Sequence, residues 1–153
     1  MRKITLKDLK KALEKSWSKK TSFDPNNWTP ENPAWGQCAV TALIVQDYFG
    51  GSLKKALFDT IDNGKAVRIS HYWNRLPNDS EIDLTENQFP EGIIRNIPRG
   101  VIRDRKYVLS YPITVKRYEI LKQRVEKYLK EKRNERNILY RTNSRRAYTC
   151  SEI

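Results

Sequence analysis

The feature that most restricts the fold is an apolar segment in the first third of the chain. From Cys38 to Phe49, apolar residues cover most of the circumference of a helix, and Gly50 and Gly51 follow directly. Glycine commonly follows a helix C-terminus because it adopts positive φ angles without strain. A helix that is apolar on nearly all sides is stable only when it is buried. The sequence therefore predicts a buried helix over 38–49.

Helical patterns also occur near both ends of the chain. Thr5 and Asp8 have the spacing of a capping box, and leucines recur at helical intervals after Thr5, which predicts an N-terminal helix. A similar pattern predicts a helix from Thr114, its N-cap, to about Arg133. Three segments with strand patterns, separated by turn residues, lie between the helices. They are 53–58, 67–76 and 81–84. These patterns predict an α+β fold in which a small antiparallel sheet packs against helices.

The length of the chain suits one domain. A chain of 153 residues can bury a core without metal or disulfide cross-links. We predict a single domain over 1–134, with its candidate catalytic core at about 28–90. Residues 135–153 are predicted to be a basic tail, for which disorder is an open alternative.

Cysteine content and hydropathy bear on the compartment. The two cysteines, Cys38 and Cys150, are too few for a disulfide framework, so free thiols are the expected state. No stretch approaches the roughly 20 apolar residues that a membrane-spanning helix needs. These features predict a cytoplasmic protein with no membrane partner.

Positive charge is concentrated towards the C-terminus. The chain has 30 Lys and Arg against 18 Asp and Glu, a formal charge of +12, and residues 115–153 hold 12 basic and 5 acidic residues. Such a segment can contact nucleic acid or an acidic partner protein. The alternative is an ordinary solvated helix face, because glutamates are interleaved with the basic residues. The basic residues that would make the contact are Lys127, Lys130, Arg133, Arg136, Arg145 and Arg146.

Cys38, His71 and Asp83 have the residue types and the order of a thiol catalytic triad. Cys38 falls on the first turn of the buried helix, where unpaired backbone N–H groups favour a thiolate. His71 is the single histidine of the chain, and imidazole is the usual base for a thiol nucleophile. His71 and Asp83 lie nearly opposite each other on adjacent predicted strands, so the carboxylate can orient the imidazole. The sequence predicts Cys38 as nucleophile, His71 as base and then acid, and Asp83 as orienter.

Each of these residues also has a structural interpretation. Buried cysteines often act as small hydrophobic side chains. A strand histidine can simply bond its neighbours, and Asp83 can cap the following turn with Thr85. A metal site built from Cys38, His71, Asp83 and Cys150 would lack the paired spacing of known zinc motifs. We therefore expect no metal and no cofactor.

Three sequence blocks resemble a known family. Residues 32–42 (Asn-Pro-Ala-Trp-Gly-Gln-Cys-Ala-Val-Thr-Ala), 70–78 and 81–85 are similar to signature blocks of the YunG-like family of uncharacterised bacterial proteins. The order of the Cys, His and Asp residues also resembles the transglutaminase-like branch of the papain-like cysteine enzymes. That resemblance implies a papain-like or transglutaminase-like core and acyl transfer through a thioester. Peptide or isopeptide cleavage, glutamine deamidation and amine transfer are all reactions of this kind.

The leading hypothesis is a cysteine-dependent hydrolase or acyltransferase that acts on an amide, isopeptide or thioester of a protein or peptide-like substrate. The alternative is a non-catalytic binding protein, whose basic C-terminal helix and tail engage nucleic acid or an acidic protein. For the enzyme, residues next to the triad are candidates for oxyanion support and substrate packing. They are Gln37, Trp35, Trp73 and Asn74.

Overall fold

The computed structural model describes residues 3–62, 64–89 and 99–149. Within these ranges two helices come first, the strands follow, and two further helices end the described chain. The helices are α1 (Leu6–Ser16), α2 (Cys38–Phe49), α3 (Arg105–Val108) and α4 (Pro112–Thr149), and a short 3₁₀ turn covers Glu86–Gln88. The strands are β1 (Ser52–Asp62), β2 (Lys65–Arg75), β3 (Glu81–Ile82) and β4 (Val101–Arg103).

The strands form one antiparallel sheet in the order β3-β2-β1-β4. Strands β1 and β2 make a long hairpin in which Ala56 is opposite His71. On the other side of β2, Asn74 is opposite Ile82 of β3, so Asp83 follows the paired residues directly. The predicted α+β class with a small antiparallel sheet is confirmed.

The apolar helix α2 lies at the centre of the molecule. It contacts β1 and β2 of the sheet as well as α4, and α1 packs on α4 in turn. Val40, Leu43 and Ile44 of α2 are completely buried. The predicted burial of this helix is confirmed, and each of those side chains contributes about 1.5–3 kcal/mol through the hydrophobic effect.

The predicted start of α1 and the predicted end of α2 are both present. The Thr5 hydroxyl accepts a hydrogen bond from the Asp8 N–H at 3.1 Å, and the Thr5 N–H donates to the Asp8 carboxylate at 3.1 Å. Helix α2 ends at Gly50, whose φ of 71° is a conformation that side chains disfavour. The capping box and the glycine stop signal therefore act as the sequence indicates.

The C-terminal helix is longer than the sequence pattern predicts. The expected bounds are Thr114 and Arg133, whereas α4 runs from Pro112 to Thr149. Proline is tolerated in the first turn of a helix because its missing N–H has no partner there. Residues 134–149 contain neither glycine nor proline, so no residue of this segment interrupts the helix. Most of the predicted basic tail is thus helical, and Cys150 lies outside the described residues.

The strand boundaries also differ from those predicted. Strand β1 continues to residue 62 and β2 starts at residue 65, because the hairpin stays in register up to its turn. Strand β3 has only two residues, since Asp83 leaves the ladder and makes side-chain bonds instead. In the described part of the chain, no helix combines the length and the apolar character that crossing a bilayer requires.

The N-terminal cap gives a direct stability prediction. Replacing Thr5 by alanine removes the oxygen that accepts from the Asp8 N–H, so the free energy of unfolding should fall by about 1 kcal/mol. Urea unfolding followed by circular dichroism measures this loss. Lys10→Ala, at an exposed position of the same helix, is the matched control and should change stability by under about 0.5 kcal/mol. An equal effect of the two substitutions would contradict the role of the cap.

Candidate active site

Cys38 is the first residue of α2 and a free thiol at the surface of a cavity. Gln37 occupies the N-cap position, but its side chain makes no capping bond. The first-turn N–H groups of a helix have no intrahelical partners. Cys38 and Ala39, which line the cavity, therefore carry such N–H groups at the positive end of the helix dipole.

Gly36 allows the chain to reach this position. Its φ is +70°, and a Cβ there would lie 2.8 Å from the Phe23 backbone nitrogen. The Gly36 carbonyl accepts a hydrogen bond from that same nitrogen at 2.9 Å. Glycine is needed because two chain segments meet too closely for any side chain.

His71 is fully buried on β2 and faces both of its predicted partners. Its Nε2 lies 2.5 Å from a carboxylate oxygen of Asp83. Cys38 acts on the same ring, because its side chain and its charge both raise the pKa of His71. Asp83 engages Nε2, whereas Nδ1 has the Gln88 amide nitrogen 3.3 Å away. The structure thus places Asp83 against His71, with Cys38 near enough to act on the same ring.

Asp83 serves both of the roles that its sequence position allows. One carboxylate oxygen bonds His71, while the other accepts from the Thr85 N–H at 2.9 Å and from the Thr85 hydroxyl at 3.0 Å. The turn after β3 therefore fixes the carboxylate that orients the imidazole. A carboxylate with hydrogen bonds to both oxygens has little freedom to rotate away.

The charge state of His71 follows from these contacts. Burial alone would lower the pKa of the imidazole, since it disfavours the charged form. Hydrogen bonds to Asp83 and Cys38, together with the negative charges of both groups, outweigh burial and raise the pKa to about 9. A pKa of about 9 favours the imidazolium form of His71 at neutral pH.

Aromatic rings hold the imidazole in its orientation. Trp73 stacks on His71 with ring centroids 5.8 Å apart, and Phe89 meets it edge-on at 5.1 Å. The Trp73 indole N–H donates to Glu81 at 2.8 Å, and Glu81 pairs with Lys54 at 2.6 Å. The sequence suggests Trp73 as a substrate contact, but it is not among the residues that line the cavity. It supports the histidine instead.

Gln88 belongs to the site, although no sequence pattern identifies it. This buried side chain has its Nε2 3.3 Å from His71 Nδ1, and it also donates to the Thr85 carbonyl at 3.1 Å. Its Oε1 accepts from the Gly36 N–H at 3.3 Å. Gln88 therefore connects the segment before Cys38 to the histidine. Its position on a 3₁₀ turn follows no residue spacing that a sequence motif could reveal.

The other predicted neighbours occupy different places. Trp35 lines the cavity, as expected of a substrate contact, and its indole N–H donates to Asp24 at 3.1 Å. Gln37 is fully buried and donates to the Ser18 carbonyl at 3.0 Å, so its amide is not positioned for oxyanion support. Asn74 donates to the Ala42 carbonyl at 2.9 Å and ties β2 to α2. Neither residue lines the cavity, and each amide N–H group donates to a backbone carbonyl, whereas the buried Gln37 Oε1 has no hydrogen-bond partner among the described residues.

The cavity beside Cys38 has a volume of about 510 Å³. Its charged lining residues are Lys55 from β1, Arg117 from α4 and Asp24. Most of the remaining wall is apolar or aromatic. The aromatic lining residues are Phe23, Trp35, Tyr72, Phe89 and Tyr111. A mainly apolar cavity with a few placed polar groups is typical of a small-ligand site.

The possible metal-binding side chains of the site are a thiol, an imidazole and carboxylates. Over residues 3–62, 64–89 and 99–149, no group of three or more His, Cys, Asp or Glu side chains is arranged to hold a metal ion. Sequence comparison identifies relatives of the chain but no solved structure that matches it. The family of the chain is therefore identified from its sequence relatives.

A curated relative aligns with about half of the chain. "Uncharacterized protein YunG" of Bacillus subtilis (strain 168) is 37% identical over 84 residues, which are 55% of this chain. The alignment spans 63% of the length of that relative. The family model described as "YunG protein" matches residues 5–130, which include the triad, Gln88 and Arg117. The resemblance to this family is confirmed, and the chain belongs to the YunG protein family.

Proposed function

We propose that the protein is a cysteine-dependent hydrolase or acyltransferase that acts on an amide, isopeptide or thioester. The supporting observation is the buried imidazole of His71, which bonds Asp83 at 2.5 Å and lies within reach of the Cys38 thiol. The residue on its other side, Cys38, lines a cavity, which a purely structural histidine would not require. Perturbed ionisable groups in a cleft mark candidate active sites.

The reaction proceeds in two halves. The Cys38 thiolate attacks the carbonyl carbon of the substrate, and His71 donates its proton to the leaving amine, which gives a thioester. Neutral His71 then takes a proton from water or from an acceptor amine as that molecule attacks the thioester. The Cys38–acyl bond breaks, the thiolate returns, and His71 is again protonated. Water gives hydrolysis, and an amine gives transfer.

The negative charge on the carbonyl oxygen needs hydrogen-bond donors. The Cys38 and Ala39 N–H groups at the start of α2 are the candidates, because both residues line the cavity and Gln37 does not cap them. Removing one such donor in known enzymes costs about 10²–10³ in rate. This backbone arrangement replaces the role that the sequence suggests for the Gln37 side chain.

The arrangement supports a transglutaminase-like or papain-like assignment at the level of order and topology. Cysteine begins a central helix, histidine lies on an antiparallel strand, and the aspartate follows the neighbouring strand. A protein or peptide-like amide is the corresponding substrate class. A reducing compartment such as the cytoplasm would keep Cys38 as the free thiol that the mechanism requires.

A second candidate function is a binding role for the basic half of α4. Lys127, Lys130 and Arg136 are exposed there. Part of this charge is already neutralised, since Lys127 pairs with Glu131 at 3.9 Å and Arg136 with Asp8 at 3.8 Å. These pairs weaken the positive field, so the geometry favours the enzyme.

The role of Asp83 can be tested with a chromogenic ester. Asp83→Asn should lower the Cys38-dependent hydrolysis of p-nitrophenyl acetate by about 10²–10⁴, because asparagine favours the wrong imidazole tautomer. Release of p-nitrophenolate measures the rate, and Cys38→Ala gives the background. Asp79→Asn, in the exposed turn before β3, is the matched control and should leave the rate unchanged. Full activity of folded Asp83→Asn would contradict the triad.

The charge state of His71 can be measured directly. Because the chain has one histidine, its ring protons give isolated NMR signals. Their titration should have a midpoint near pH 9 rather than near 6.5. Asp83→Asn should lower this midpoint, because the hydrogen bond to Asp83 then no longer opposes burial, which lowers the pKa of the imidazole. Steps that need the imidazolium should slow as the pH rises through 9. A wild-type midpoint at or below 6.5 would refute the proposed proton donor.

The binding alternative predicts a loss of affinity on truncation, whereas the enzyme does not require one. We expect full-length protein and a form ending at Asn134 to bind a fluorescent RNA equally weakly at physiological salt. Anisotropy titrations at low and physiological salt test this, because contacts to phosphates weaken steeply with salt. Tight binding by the full-length chain alone would favour the alternative.

A further inference from the structure

Arg117 is an unusual cation in the wall of the candidate active site. It lies in the second turn of α4, its side chain is 5% exposed, and it lines the same cavity as Cys38. A buried guanidinium normally has a carboxylate partner, because an unpaired buried charge costs several kcal/mol. Arg105, which is only half-buried, does pair with a carboxylate, that of Asp47 at 2.8 Å.

The described residues do not neutralise Arg117. Its Nη1 donates to the carbonyls of Thr21 and Gly36, both at 3.2 Å, and the guanidinium lies 5.5 Å from the centre of the Phe23 ring. Its Nε is buried with no hydrogen-bond partner among the described residues. Burial lowers the pKa of Arg117, and the nearby Cys38 charge raises it. In the described part of the chain, no carboxylate forms a salt bridge with this residue.

Asp24, the acidic residue in the cavity lining, already has hydrogen-bond partners. Asp24 accepts hydrogen bonds from Asn27 at 2.8 Å and from the Trp35 indole at 3.1 Å. The second cation of the cavity, Lys55, lies over the Tyr72 and Tyr107 rings at 5.4 and 5.7 Å. No salt bridge joins Lys55 to an acid of the described chain. The cavity therefore carries positive charge that its own lining leaves uncompensated.

The catalytic residues do not pair with Arg117 directly. The Asp83 carboxylate is engaged by His71 and by the Thr85 N–H. The charge of Cys38 raises the pKa of Arg117 through space, but in the described part of the chain neither Cys38 nor Asp83 forms a hydrogen bond or a salt bridge with the guanidinium. An anion in the cavity would meet a guanidinium whose charge-assisted hydrogen bonds are stronger than those between neutral groups.

We propose that Arg117 binds a carboxylate of the substrate, so the enzyme acts on small amides or thioesters that carry a free carboxylate close to the reacting carbonyl. The inference rests on the proposed thiol chemistry for its reaction, but the anion site itself does not. Lys55 adds long-range attraction, and the aromatic wall accommodates an apolar part of the same molecule. Neutral analogues lose the guanidinium contact and bind more weakly.

Binding can be measured apart from turnover. In a Cys38→Ala background, titrations of hippurate (N-benzoylglycine) and its uncharged amide, hippuramide, are followed by the NMR signals of His71. The two probes share the amide and the aromatic ring and differ in the carboxylate. We expect hippurate to bind at least tenfold more tightly. Equal affinity, or no binding by either probe, would overturn the proposal.

Substitution then assigns the preference to one residue. Arg117→Gln in the same background should bring the affinity ratio close to one, and Arg117→Lys should keep part of it because the charge is retained. A preference that survives in folded Arg117→Gln would overturn the role of Arg117. If Arg117→Gln does not fold, Arg117→Lys decides, because a reduced preference there would support the role of the guanidinium and an unchanged preference would overturn it.

The two proposals can fail separately. Carboxylate-selective binding by Cys38→Ala, combined with no thiol-dependent turnover in the wild type, would support the anion site and reject the hydrolase. Thiol-dependent hydrolysis of p-nitrophenyl acetate without any preference for hippurate would support the hydrolase and reject the anion site.

Discussion

The buried imidazole of His71 is the group around which the site is organised. A polar ring with no exposed surface is stable only if both nitrogens have partners, because an unpaired buried polar group costs about 1–3 kcal/mol. Asp83 satisfies Nε2, while Cys38 and Gln88 meet the other side of the ring. Asp83 follows the short β3 strand and is held by Thr85. Gln88 lies on the 3₁₀ turn that comes next. This segment of the chain thus supplies the polar groups that the buried ring requires.

Helix α2 connects the hydrophobic core to the candidate active site. Its middle residues, such as Leu43 and Ile44, fill the space between the sheet and α4 and hold the helix rigidly. Its first residue, Cys38, is thereby fixed against the sheet, with uncapped N–H groups beside it. A loss of packing in α2 would displace Cys38, the proposed nucleophile, as well as lower stability. Stability and reactivity therefore depend on the same element.

Local patterns predicted the parts of this structure that local physics determines. The capping box at Thr5, the bounds of α2 and the pairing of His71 with Asp83 each depend on residues close in sequence or on one hairpin. Gln88 could not be found in this way, because its partners are brought together by the whole fold. The extent of α4 was missed because a polar pattern without glycine or proline does not distinguish a helix from a tail.

The position of Arg117 likewise could not be predicted from local sequence patterns. In the sequence it is one of 30 basic residues, and the charge pattern draws attention to the far end of α4 instead. Only the fold reveals that this particular cation is buried beside the thiol, bonded to carbonyls rather than to an acid. Charges at the exposed end of α4 are solvated and partly paired, so they act weakly. A single desolvated guanidinium in a cavity exerts a stronger and more directional attraction, and it therefore has more influence on which molecules can reach Cys38.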